Sequence, residues 1–267
     1  MEQVQQNFVT PSFTKRLKGM LGVDFYRLFH TPLLYIFLFI SAIIPALVSM
    51  GGGEQSLFSS AWQIIASSSP TYVVKDMGEY ANMNMVFIFG GIMISIFIGH
   101  DYKSGYVKQL FTTHAKKQDY VISKTLAGAF SMACMCITYL LGGIASGLFT
   151  GLSFSVNVGS LIIAIISKII MSLGWSALYT FINVIFRKLF GISIALCFFF
   201  GTGIVIIGFA GIFGNSPILN TFLYGSSVYA CLSSSALTLL VCLVNSIVWA
   251  TVYIVASTYL LNVRDVY

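Results

Sequence analysis

The residues able to do chemistry in this chain are few, and most stand outside its apolar runs. The 267 residues include 8 acids, 3 histidines and 5 cysteines. Intramembrane hydrolysis needs paired aspartates, a serine with a basic partner, or a His/Glu metal set. No Asp or Glu falls inside an apolar run, and His30, His100 and His114 lie in the flanks without HExxH-like spacing. Cys134, Cys136, Cys197, Cys231 and Cys242 have neither zinc nor redox spacing and read as small buried hydrophobes. No midplane carboxylate is offered for ion-coupled transport. Without a GxxxxGK[ST] loop the chain cannot cradle a nucleotide phosphate, so it is not expected to be an enzyme and needs no metal or cofactor of its own. Lys168 alone interrupts a long apolar run. Measured from Arg187-Lys188, it stands about 28 Å along a helix. That favours an outer-edge position from which the ammonium snorkels, over a place on a substrate or proton pathway.

The other concentration of chemistry is the segment 100–124, with five lysines and two aspartates. Asp101 leaves the preceding apolar run and Gly105 follows. Val107, Leu110 and Phe111 then alternate with Lys108 and Gln109 before the basic pair Lys116-Lys117 and, later, Lys124. This pattern reads either as a short amphipathic helix lying across one membrane face, able to seat in a soluble partner, or as a plain basic loop. Upstream, Phe13, Leu17, Leu21, Phe25 and Leu28 recur at helical spacing while Lys15, Arg16 and Lys18 add positive charge. An interfacial helix over 12–30 is the expectation, an ordinary juxtamembrane flank the alternative. Thr31-Pro32 marks a corner after it.

The elements that must position these residues follow from composition. The chain is 57% apolar and 8% charged, against about 25% charged in a soluble domain, and its mean hydropathy is +0.90. That excludes a soluble enzyme, a disordered regulator and a disulfide-stapled secreted domain, and leaves an all-α integral membrane protein. At about 20 residues per crossing, six spans are expected at 33–50, 81–99, 125–150, 158–186, 189–213 and 236–261, all in one transmembrane domain (1–267). Pro45 is placed to kink the first span, and the 211–235 stretch reads as an outer loop, partly apolar. Gly143 and Gly147, four residues apart, permit close helix contact in the third span.

Charge sets the orientation. Lys15, Arg16, Lys18, Arg27, Lys103, Lys108, Lys116, Lys117, Lys124, Arg187, Lys188 and Arg264 are 12 of the 14 basic residues and share one side. By the positive-inside rule both termini are expected in the cytoplasm. Short basic clusters between apolar runs are also not a nucleic-acid groove, so no nucleic acid is expected as a partner.

The segment 100–124 resembles the coupling region of ABC type-2 exporter permeases, whose pattern runs acidic-x-x-x-Gly-Thr-aliphatic-Lys-x-Leu-Leu, then a basic residue, then Lys. Asp101, Gly105, Val107, Lys108, Leu110, Lys116 or Lys117, and Lys124 take the matching places. Asp101 replaces the usual Glu, Tyr106 the Thr, and Ala115 stands near an expected Pro. The closing run from Tyr259 to Val266, with Arg264 and Asp265, is similar to the family's terminal pattern, so the resemblance covers nearly the whole chain. It implies a permease subunit in a bacterial plasma membrane, paired with a second permease subunit that is the same or different. Two soluble ATPase subunits holding ATP and Mg would bind beneath. Asp101, Gly105, Val107, Lys108, Leu110, Phe111, Lys116 and Lys117 would then form the main ATPase contact. The aromatic, apolar spans suit an amphipathic antimicrobial or toxin peptide better than sugars or ions, with lipids or drugs as alternatives. A non-transporting immunity or scaffold protein is the rival class.

Overall fold

Thr31-Pro32 turns the chain as expected. The computed structural model describes residues 12–50, 77–112, 115–149, 158–187, 189–201, 221–232 and 236–263. Helix α1 (Phe13–His30) ends at Thr31, which is extended, as a residue before proline must be. Pro32 then opens α2 (Pro32–Met50), at the one helical position where a missing N–H costs nothing. The two helices meet at 64°. The Thr31 hydroxyl donates to the Arg27 carbonyl and the Tyr35 hydroxyl to the Phe29 carbonyl, so side chains satisfy groups that the end of α1 leaves open.

The remaining helices are α3 (Met77–Lys103), α4 (Tyr106–Thr112), α5 (Lys117–Phe149), α6 (Val158–Ile185), α7 (Phe190–Gly201), α8 (Leu223–Leu232) and α9 (Ala236–Val263). No strand occurs among the described residues. Four of these helices (α3, α5, α6 and α9) are long and apolar enough to cross a membrane, and the bent α1–α2 pair makes a fifth when counted as one span. The chain is therefore a helical protein built to pass a membrane several times.

α6 is the central helix, packed by α9, α5, α3 and α8, while α2 and α1 lie along α5 and α7 lies along α3. The core is aromatic and sulfur-rich. Phe87 stacks on Trp175 at 5.4 Å, Trp175 meets Tyr179 at 5.6 Å, and Met132, Met135 and Met171 fill the gaps around them. A second, smaller apolar cluster of Val107, Tyr120, Val121, Val184 and Leu261 lies at the charged end of the bundle.

Several expected boundaries shift. The second and third spans are longer, because α3 runs through His100–Lys103 and α5 begins at Lys117 instead of Thr125. Asp101, Asp119 and Lys124 remain helical because their charges are compensated inside the protein. The expected outer loop contains α8, whose Leu223 and Tyr224 are buried in the main core. Of the expected fifth span only the part up to Gly201, which forms α7, is described. Its remainder, and residues 51–76 and 202–220 as a whole, lie outside the described residues. Gly143 and Gly147 fall on α5, but their surroundings are likewise not described. It is Gly142 that makes the close approach, since a Cβ there would strike the Ala42 carbonyl of α2.

Candidate functional site

Every described carboxylate at the charged end of the bundle is buried, although these are the groups that normally seek water. Asp24 comes from the inward face of α1, shared with Leu17, Leu21 and Leu28. Asp101 comes from the last turn of α3, and Asp119 from the first turn of α5. Lys124, also fully buried, reaches between two of them, with its Nζ 2.5 Å from Asp24 Oδ1 and 2.7 Å from Asp101 Oδ2. Arg27 closes the ring: its Nη2 donates to Asp101 Oδ1 at 2.5 Å, and its Nη1 lies 4.0 Å from Asp24. Two acids and two cations thus form a neutral quartet drawn from three helices.

Neighbouring hydroxyls add to the coordination of the two acids. Ser123 Oγ donates to Asp24 Oδ2 at 2.6 Å, and the Tyr120 hydroxyl to Asp101 Oδ2 at 3.4 Å. Both cations also face aromatic rings. Lys124 Nζ is 4.4 Å from the Phe97 centroid and 5.7 Å from that of Tyr106. The Arg27 guanidinium is 5.3 Å and 4.6 Å from the same two rings. Burial would lower the Arg27 pKa, but the hydrogen bond and charge of Asp101 outweigh it and the net shift is upward. Burial, assisted by the Asp24 and Asp101 charges, raises the Tyr106 phenol, which therefore stays neutral. Such a site is made to hold elements together in a fixed relation.

α4 hangs from this site. Gly105 leaves α3 with φ +74°, the left-handed region open to glycine. Its N–H donates to the Tyr102 carbonyl, and its own carbonyl accepts the Gln109 N–H that starts α4. Val107 is buried in the small cluster, and Phe111 lies edge-on to Tyr120 at 5.8 Å. Lys108 and Gln109 point outward, exposed, and Leu110 is half-buried.

The residues expected at a partner surface therefore divide. Lys108 and Lys116 are exposed, as are Lys15 and Lys18 on α1. Asp101 and Val107 are turned inward, because the first is neutralised by Lys124 and Arg27 and the second fills an apolar cluster. Lys117 donates to the Leu261 carbonyl at the end of α9, where a cation suits the helix dipole. Arg16 pairs with Asp119 at 2.8 Å. On α1, Leu17, Leu21 and Phe25 are partly buried, Phe25 edge-on to Phe130 at 5.1 Å, while Phe13 is exposed. Asp24 escaped the sequence reading. Its signal was an acid standing in register with the leucines of an amphipathic helix.

Lys168 also departs from expectation. It does not snorkel outward: its side chain is buried, its Nζ donates to the Ser227 carbonyl at 3.0 Å, and it lies 5.3 Å from the Phe87 ring. α8 covers it and supplies the oxygen that makes burial tolerable. A further seam missed in the sequence joins α3 to α7. Ser95 and Gly99 on α3 and Cys197 and Gly201 on α7 stand at four-residue spacing: Ser95 Oγ is 3.1 Å from Cys197 Sγ, Gly99 lies close to Phe190 and Gly201 to Ile88, and Asn183 donates to Ser95. Among the described residues no group of three or more His, Cys, Asp or Glu is placed to hold a metal ion. No family model matches this sequence, and no curated protein matches it.

Proposed function

We propose that the chain is the membrane-spanning permease subunit of an ATP-driven ABC exporter, with six spans, both termini in the cytoplasm, and α4 as the helix that docks a separate ATPase. The observation that carries this reading is α4 itself. It is a short helix at the charged end of the bundle, exposing Lys108 and Gln109 while Val107 and the quartet hold it from behind. A helix so placed gives a soluble motor something to push, and its attachments give the push somewhere to go. ATP and Mg are bound by the partner, and a second permease subunit completes the pathway. The proposed cargo is an amphipathic antimicrobial or toxin peptide, supported by the aromatic character of the chain, with 23 Phe and 14 Tyr.

Purification in mild detergent tests the class. The expected result is a stoichiometric soluble chain carrying GxxxxGK[ST] that crosslinks to the protein through a cysteine placed at Lys108. Reproducible isolation without such a chain overturns the proposal in favour of a protein that acts by binding alone.

A further inference from the structure

α4 has seven residues, about half the length at which an isolated helix becomes even marginally stable in water. Its position is therefore set by what grips it. Asp101, at its entrance, sits in the last turn of α3, where the helix dipole repels an anion. The charges of Lys124 of α5 and Arg27 of α1, with the Tyr120 hydroxyl beside them, make that placement favourable. The same two cations bracket Tyr106, the first residue of α4, and Phe97, one turn before Asp101. Asp24 balances the second positive charge and ties it back to α1. Three of the four charged side chains are cut off from water, and Arg27 is 25% exposed. Losing one member strands its partner in a poorly hydrated site, which costs far more than losing both.

We infer that Asp24, Arg27 and Lys124 are positioning residues for α4: through Asp101 and Tyr106 they lock its entrance to α1 and α5. A displacement of α4 is then passed to both helices together instead of being absorbed at the Gly105 turn. Its role in export rests on the docking reading above; the lock itself belongs to this chain alone and is testable without a partner.

The test is hydrogen exchange on the full chain in phospholipid nanodiscs, comparing Lys124→Met, Asp24→Asn and the double variant. Each single change is expected to speed exchange of residues 106–112 and 13–30 by at least about tenfold while residues 171–184 stay unchanged. In the double variant Arg27 and Asp101 remain a neutral pair, and exchange returns to within about threefold of the native chain. Should Lys124→Met not accumulate, Arg27→Gln at the partly exposed corner gives the same comparison. Unchanged exchange at 106–112, an equal rise through 171–184, or a double variant worse than either single overturns the inference. A second arm measures ATP-driven export in vesicles with the ATPase present. Singles that keep ATP hydrolysis and lose export support the role of the lock. Altered exchange with native export leaves the lock standing and refutes its role in passing the movement of α4 to export.

Discussion

The Gly105 turn yields a prediction whose size comes from the backbone alone. A Cβ built at this position meets nothing within 4 Å, so substitution brings no clash. The only cost of Gly105→Ala is that of holding an L residue at φ +74°, which is about 1–2 kcal/mol. Because 1.4 kcal/mol is a factor of ten, the population in which α4 has swung away from its seat should rise about 5- to 30-fold. Asn tolerates this backbone region better than Ala and should cost less, while β-branched Val should cost more. Hydrogen exchange of residues 106–112 in nanodiscs reads the series directly, with residues 171–184 as the internal reference. The order Gly, Asn, Ala, Val is expected in increasing exchange. Equal exchange in Gly105→Ala and the native chain, or Asn as disruptive as Val, refutes the reasoning that this backbone turn sets the position of α4.

Other sites give sharper yes-or-no outcomes. Gly142→Ala should lose about 1–3 kcal/mol in detergent melts, because the obstacle is the α2 backbone at Ala42. Gly90→Ala should lose less, since its obstacle is the flexible Met132 side chain. Arg16→Met and Asp119→Asn should each cost about 1–3 kcal/mol, and the double variant less than their sum, as a melting double-mutant cycle will show. Lys168→Met should loosen α8, seen as faster exchange across Leu223–Leu232 corresponding to about 1–3 kcal/mol, with the rest of the bundle unaffected.

How much was legible in the sequence depended on where each interaction partner lay. The α1–α2 corner was readable because proline constrains its own neighbour. α6 and α9 emerge within two residues of the expected bounds because charge or polar breaks end their apolar runs. The start of α5 was misplaced by eight residues, since Lys117, Asp119 and Lys124 look like loop residues until Leu261, Arg16, Asp24 and Asp101 are brought to them. Asp101 was noticed, but as a surface group. Its two cations stand 74 and 23 positions away in opposite directions, and spacing alone cannot pair them. Lys168 was judged by its height along a helix, and the covering carbonyl of Ser227 comes from a segment that read as loop.

The bond between Asp24 and Lys124 also orders events during synthesis. The two residues are separated by 100 positions, which at about 5–20 residues per second is roughly 5–20 s of translation. Of its two cationic partners, Asp24 has only Arg27 close by in sequence, three residues on. The contact that α1 makes through Asp24 to α5 therefore cannot form while α2 and α3 are being made. The quartet becomes complete only once Lys124, in the second turn of α5, has been made. The charged end of this protein is thus the last part of its first half to close, however early its first residues emerge.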